Sequence, residues 1–418
     1  MKQSYLQTFF VILAFLINVT VGFTQETNHK PCKDKDLQDF FKKKGDTVTV
    51  EKSQVIMMMP VVYYNPTNGF AFGVGGLLGK VFGPKETTKI SSATMNIVVT
   101  TKKQFLAFFK PTVYTKDDKF FLHGDYRIYL YKNPTWGLGT NAPDTGITDY
   151  QTHWLGKSSS DPIDAYQMSY HYYKFHQTVN RRIFENTFVG LGYHFDKFSE
   201  IEDVESTRIT PHSAYSAYMG FDPTQYVTSG ISVNFIYDSR DNMINPYKGV
   251  YFNASYRMNE EWLGSSKKSA QLNLEFRGYV SLSKKSPRHL IGFWALGNFV
   301  TSGTVPYLSL AAIGEDEKSN SGRGYIAGRY RGEDLLYLES EYRFPITTCS
   351  NLVGGVVFVN ATSTSNKTRG VYLLDHIQPG VGAGIRVMFN KQYRTNISID
   401  VGAGNHSHGV YFSGGETF

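Results

Sequence analysis

The sequence predicts an all-β protein, a 16-stranded antiparallel transmembrane β-barrel, and three observations carry that prediction. From Val55 to Phe418 the chain is a succession of about sixteen runs in which apolar and polar residues alternate. Each run is close to the ~10 residues that a tilted strand needs to cross a bilayer. The joints between runs alternate between short and long, as turns on one rim and loops on the other require. Finally, 29 Tyr and 30 Phe make the 418-residue chain 15% aromatic, although hydrophobic residues reach only 41% and mean hydropathy is −0.31. That composition suits a wall with one lipid face, a polar interior and aromatic girdles, and it suits a large soluble β-protein equally well. The asymmetry of the rims, which a soluble sandwich does not predict, separates the two.

Residues 1–24 read as a secretory signal peptide. Lys2 precedes an apolar run over residues 9–21 that is too short to span a bilayer as a helix. Gly22, Thr24 and Gln25 follow, which places cleavage near Thr24 and Gln25. No later stretch reaches 18 uninterrupted apolar residues, so a membrane-resident chain must span as a closed barrel. Residues 25–54 form a short periplasmic extension, polar throughout, whose segment 36–44 supports one or two helical turns.

Residues 55–418 form the barrel. Leu272, Leu274, Phe276, Val280 and Leu282 alternate with Gln271, Asn273, Glu275, Arg277 and Ser281, and the runs around Val250–Met258 and Val381–Phe389 read the same way. Short joints fall at residues 116–118, 284–287 and 390–392, and long ones at 132–164, 199–228, 301–333 and 362–378. An even strand count returns the end of the chain to the short-turn, periplasmic rim.

One long joint differs in kind. Gly322-Arg323-Gly324-Tyr325-Ile326-Ala327-Gly328 is a glycine-rich turn carrying one arginine. It leads into a run with Leu336, Leu338, Tyr342 and Phe344 on one face and Tyr337, Glu339, Glu341 and Arg343 on the other. A loop folded into a barrel lumen leaves bulk water, so Arg323 requires a carboxylate or several acceptors. The following lumen faces offer Glu339 and Glu341, then Phe358 and Asn360, then Asp400.

Three places resemble one superfamily. Arg323-Gly324-Tyr325, before the twelfth strand, resembles the Arg-Gly-Tyr/Phe lumen loop of BamA/TamA-type outer-membrane proteins, the bacterial surface antigen barrel. The turn Asp238-Ser239-Arg240-Asp241-Asn242, running on to Asn245, Pro246 and Gly249, resembles that family's periplasmic turn between strands eight and nine. The final run, with Tyr411, Phe412 and Phe418, is similar to its closing strand with a terminal aromatic. In the family the loop arginine meets an aspartate in a Phe-x-Asp pattern, which here reads Phe358-Val359-Asn360. An amide cannot supply the ionic half of a bidentate pair, so either Glu341 takes that role or the lock is weaker.

The resemblance implies a member lacking periplasmic polypeptide-transport-associated domains, because residues 25–54 are too few for one. It implies an outer-membrane location in a Gram-negative-type bacterium and a role in outer-membrane protein or lipid assembly. The mechanism would be local thinning or lateral opening between the first and last strands. Implied partners are outer-membrane lipids, client or accessory outer-membrane proteins, and a second copy joined through the seam. A passive pore with a loop-constricted lumen is the alternative.

Other chemistry finds little support. Ser, His and Asp are scattered without an activated-nucleophile motif, so neither an enzyme nor a cofactor is expected. Glu315-Asp316-Glu317 lacks the spaced oxygens of a calcium loop and reads as a solvated surface run. His406 and His408 would share a face if extended, but no third ligand accompanies them, so no metal is expected. The charge of +7 is spread, the patch Lys42-Lys43-Lys44 reads as solvated, and no basic stripe with interleaved aromatics marks a nucleic-acid surface. Cys32 and Cys349 both fall on the periplasmic side, where they either pair or stay as two thiols; thiol titration of the unreduced, denatured protein separates the two.

Overall fold

A computed structural model describes residues 34–40, 54–65, 69–84, 86–141, 166–203, 210–283, 286–347 and 350–418. The signal peptide, Lys42-Lys43-Lys44, Cys32 and Cys349 lie outside the described residues. In chain order the strands are β1 (Gln54–Asn65), β2 (Gly69–Lys80), β3 (Ser91–Thr100), β4 (Phe105–Tyr114), β5 (Phe120–Thr135), β6 (Tyr166–Phe184), β7 (Thr187–Asp203), β8 (Tyr226–Asp238) and β9 (Gly249–Asn259). They continue as β10 (Ser269–Ser281), β11 (Leu290–Gly303), β12 (Ala311–Ala312), β13 (Arg331–Gly332), β14 (Asp334–Pro345), β15 (Val353–Thr364), β16 (Gln378–Asn390), β17 (Thr395–Gly404) and β18 (Ser407–Gly414).

Sixteen of these pair in sequence order into one antiparallel wall, while β12 and β13 form a separate two-stranded ribbon within the loop between β11 and β14. Neighbour-to-neighbour pairing is what short turns between antiparallel strands impose. Along each strand the outward positions stay exposed and apolar, as at Val74, Ile97, Phe175, Phe235, Leu338 and Val401. The inward positions are charged, amide or aromatic and mostly buried, including Asp125, Arg127, Asp196, Arg257, Glu341 and Arg386. This is a membrane barrel turned inside out relative to a soluble protein.

Strand length varies more than the sequence suggested. β5, β6 and β7 run for 16, 19 and 17 residues and rise beyond the bilayer, whereas β18 has only 8. Eight residues fall short of the ~9–11 that a tilted strand needs, so the wall is lowest where it should close. A closed barrel was expected. Among the described residues no ladder joins β1 to β18, and each pairs on one side only. The two edges do meet through side chains. The methyls of Met57 and Met59 lie 3.6 and 3.7 Å from where a Cβ on Gly414 would sit.

On the outer side, the loop after β7 folds into helix α1 (Pro211–Met219), capped by Thr210 and Ser213 in a reciprocal capping box and ended at Gly220. Tyr215 and Phe221 pack with Met168, Tyr170 and Phe198 of the tall strands, with Tyr226 of β8 and with Val305, Tyr307 and Leu308 of the loop between β11 and β14. Between the loop that joins β11 to β14 and the inner faces of β3–β11 lies a chamber of about 570 Å³ lined by polar and apolar side chains together.

Candidate functional site

The site is built by residues 313–328, which fold down into the lumen. Four glycines with positive φ, Gly314 (73°), Gly322 (75°), Gly324 (109°) and Gly328 (82°), shape the descent. At Gly324 the requirement is also steric, because a Cβ would lie 2.8 Å from the main-chain carbon of Ala403 on β17. Gly404 reciprocates: a Cβ there would enter the Tyr325 ring. The loop and β17 therefore touch backbone to backbone, and only glycine permits it.

This contact delivers Arg323 into a set of carboxylates. Its guanidinium donates to Asp400 (2.8 Å), to Glu339 (2.6 Å) and to Glu341, and it lies 3.6 Å above the Phe358 ring. Two further arginines extend the set. Arg343 donates to Glu341 at 2.7 Å, and Arg386 donates to Asp400 at 2.5 Å and to Glu416 at 2.7 Å. Three guanidiniums thus meet four carboxylates, a nearly neutral network that can survive burial because each charge faces its opposite. Tyr337 adds a donor to Glu339 at 2.5 Å.

Asn360 finds its explanation here. Its amide donates to the Arg323 carbonyl at 2.9 Å and lies 3.5 Å from Glu339. With Glu339, Glu341 and Asp400 already around the guanidinium, a fifth acid at 360 would leave negative charge without a partner. The amide supplies a donor instead. Sequence reasoning placed Arg323, Glu339 and Glu341 together but missed Arg343, Arg386 and Glu416 as members. The alternation had put Arg343 and Arg386 on inward faces, so the signal was present without the cross-strand register that joins them.

The loop also holds the closing strands. Gly324 N–H donates to the Tyr411 hydroxyl on β18 at 2.8 Å, and Tyr411 returns a bond to the Tyr325 carbonyl at 3.3 Å. The Tyr325 hydroxyl donates to Pro379 O on β16 at 2.5 Å and accepts from Asn405 N–H at 2.9 Å. Tyr411 is thus a loop contact, while Phe412, on the opposite face, is 62% exposed toward lipid.

Phe418 departs from the expected closing strand. The chain leaves the wall at Gly415 (φ 126°), a conformation closed to side-chain-bearing residues, and turns into the lumen. Glu416 enters the arginine network and also pairs with Asn396 at 2.5 Å. Thr417 O accepts from Asn320 of the loop at 3.2 Å, and Phe418 packs on Trp294, with ring centroids 5.4 Å apart.

The Glu315-Asp316-Glu317 run is not a solvated surface run. Glu315 pairs with Arg331 at 2.5 Å, Glu317 with His123 at 3.1 Å, and Asp316 accepts from Ser321 N–H at 2.9 Å within the loop itself. Arg127 reaches the Asp316 and Glu317 carbonyls, both at 3.1 Å. The run is the loop's hold on β4 and β5. His406 occupies the tight turn between β17 and β18 with φ 52°, so it does not share an extended face with His408. No metal-ligating cluster occurs among the described residues.

At the inner rim the 238–249 turn folds under the lumen. Asp238 accepts from Tyr114 at 2.7 Å and twice from Arg240 at 2.9 Å, and Arg240 stacks 4.4 Å from the Tyr251 ring. Asp241 receives Tyr247 N–H at 2.9 Å and Arg394, from the β16–β17 turn, at 2.7 Å. Asn242 caps Ile244 and Asn245 N–H at 2.8 and 2.9 Å. Gly249 (φ 102°) allows the chain to pass Ser239 O where a Cβ would clash. This turn joins β8–β9 to the far side of the inner mouth.

Comparison with known proteins agrees with this geometry. A family model described as the Omp85 superfamily domain matches residues 106–418. Among solved structures the chain is similar to BamA from Haemophilus ducreyi lacking POTRA domains 1–3, at 17% identity and a TM-score of 0.53, covering 87% of this chain and 69% of that one. It also matches CdiB from Acinetobacter baumannii at 14% identity and a TM-score of 0.49, covering 86% of this chain and 59% of that one. No curated protein matches the sequence.

Proposed function

The chain belongs to the Omp85 superfamily, and on that premise we propose that it is an outer-membrane insertase or translocase-type barrel that works by parting its wall between β1 and β18. The observation that carries this reading is the seam. β18 is short and laddered only to β17, and the unpaired edge of β1 meets it through methionine side chains. An unsatisfied edge in lipid is costly and invites a partner strand, and a low wall thins the bilayer beside it. The lumen lock supports the reading by holding β14, β16, β17 and β18 as one body, so that motion concentrates at the seam.

A passive pore gains less support. The loop descends into the lumen and is held there by Arg323, and the 238–249 turn reaches across the inner rim to Arg394. Clients, accessory proteins and pairing of two copies through the seam stay with the proposal as its natural partners.

The test is a reversible staple across the seam. With Cys32→Ser and Cys349→Ser as background, Met57→Cys and Gly414→Cys are bridged by a short bifunctional reagent that reductant removes. Proteoliposomes then receive a urea-denatured eight-stranded outer-membrane barrel, and its folding rate is read by heat-dependent gel mobility. Stapling should abolish the acceleration and reductant should restore it. Acceleration unaffected by a complete staple, or large steady conductance without acceleration, sinks the reading.

A further inference from the structure

The chamber beside the descending loop carries side chains that the seam does not require. Its volume of about 570 Å³ lies in the range of small-molecule sites, roughly 300–1,000 Å³. Its charged groups are already paired. Arg127 and Lys174 hold Asp125 at 2.7 and 2.9 Å, and Arg257 and His176 hold Asp196, both at 2.8 Å. Glu275 accepts from Arg277 at 2.6 Å and from the Trp294 N–H at 2.9 Å. The three acids of the loop are held as described above, so a charged ligand has to displace a partner already in place.

The amides are different. Asn234 of β8, Ser255 of β9, Asn273 of β10 and Asn298 of β11 stand directly opposite one another across four strands, and all four line the chamber. Asn253 lines it one pleat closer to the inner rim, and Asn96 lines it from β3. Asn234 is only 3% exposed, yet its amide nitrogen has no hydrogen-bond partner among the described residues. The side-chain oxygens of Asn253 and Asn96 have none either. Buried polar atoms are nearly always satisfied, so these open groups mark a place for a ligand that both donates and accepts.

The β5–β6 side of the chamber is aromatic. Tyr129 and Tyr131 of β5 stand opposite Tyr172 and Tyr170 of β6, with neighbouring ring centroids 6.0 to 6.2 Å apart. All four line the same space as the amides. We propose that the chamber binds a short neutral oligosaccharide. Each sugar hydroxyl donates and accepts, which matches a row of amides offering both functions from one side chain. The C–H faces of the pyranose rings pack on the tyrosines, whose bodies are apolar. Water alone satisfies the amides but gains nothing from the rings. A phosphate uses only donors and an ammonium only acceptors, so neither engages both halves of the row. A peptide has donors and acceptors but lacks a repeating C–H face. The inference is independent of the seam reading.

The experiment titrates the full-length protein, folded in phosphatidylcholine nanodiscs free of glycosidic detergent, by calorimetry. The probes are maltotriose, cellotriose, mannotriose and chitotriose, each alone, with tetraglycine and tripolyphosphate as the competing chemistries. At least one trisaccharide should bind with a Kd at or below about 1 mM. Asn273→Leu and Tyr129→Leu should each weaken it by about tenfold or more, with heat-dependent gel mobility showing that both variants fold. Asn298→Leu, on the strand beside Asn273, takes the place of a variant that does not fold. Failure of all four trisaccharides to bind overturns the proposal. So does an affinity unchanged in the amide and the tyrosine variants, or tetraglycine or tripolyphosphate binding as tightly as the best sugar.

Discussion

The two banks of the seam are made of opposite materials. On the β1–β3 bank the inward residues include Met57, Ala71, Leu77 and Val98, with Gly73 and Gly75 between them and the uncharged Thr94 and Asn96 on the same face of β3 as Val98. On the β14–β18 bank they are Glu339, Glu341, Arg343, Arg386 and Asp400. The apolar bank is held by its own ladder and by packing. Glycine within a strand weakens both, because it adds backbone freedom and removes a packing side chain. The charged bank is held by a network of buried ion pairs whose strength depends on hydrogen-bond geometry. The lesson is mechanical. A soft bank beside a rigid one lets the wall part without disturbing the lumen, and the loop makes one bank rigid.

The largest test of that contrast is Arg323→Ala. Removing the guanidinium leaves Glu339, Glu341 and Asp400 buried with like charge between them, a loss of about 3–5 kcal/mol. The denaturant midpoint of the barrel in lipid should fall accordingly, and cleavage of residues 313–328 by added protease should rise. A loss below about 1 kcal/mol would mean that the two banks do not differ in the way described. Phe418→Ala comes next. The ring is 1% exposed against Trp294 and Tyr279, so its truncation should cost about 3 kcal/mol while leaving Arg323 paired. If the midpoint does not move, the inward turn at Gly415 contributes nothing to the rigid bank.

These two residues also show what the sequence can and cannot disclose. The wall was readable because a two-residue period needs no knowledge of neighbours, and the sixteen strands follow from it. Arg323, Glu339 and Glu341 were readable because loop and strand adjoin in the chain. Asp400 was readable as a further acceptor on a lumen face, whereas Arg386 and Glu416 belong to a strand and a tail that become its neighbours only through pairing of β14 to β15 to β16 to β17. Phe418 looked like a strand residue because the final run resembles a closing strand with a terminal aromatic. What breaks the strand is the backbone at Gly415, and a glycine in a sequence does not announce which φ it will take. Glu315 and Glu317 looked solvated because a run of acids usually is. Only the fold supplies Arg331 and His123 as their partners.

Glu341→Gln is a smaller and sharper probe. Glu341 is fully buried and accepts from both Arg323 and Arg343, yet Glu339 and Asp400 remain for Arg323 if it is neutralised. The shape is conserved and one charge is lost, so a cost of about 1–3 kcal/mol is expected, below that of Arg323→Ala. A loss equal to that of Arg323→Ala would make Glu341 the single holder of the loop. No loss at all would remove it from the lock.

Tyr411→Phe is expected to cost least in stability and to say most about how the rigid bank reaches the seam. The hydroxyl accepts from Gly324 N–H and donates to Tyr325 O, so its deletion removes two hydrogen bonds while the ring still packs. Each is worth about 1 kcal/mol net, and the unfolding midpoint should shift only slightly. The lock would stay intact, because Arg323 does not depend on that hydroxyl. What should change is the coupling of β18 to the loop, since Tyr411 is the side chain through which the last strand holds it. Cross-linking between positions 57 and 414 should therefore lose its uniform rate and become slower or heterogeneous, although the loop remains protease-resistant. If Tyr411→Phe cross-links like the parent, β18 is held by its ladder to β17 alone, and the rigidity of that bank stops one strand short of the seam.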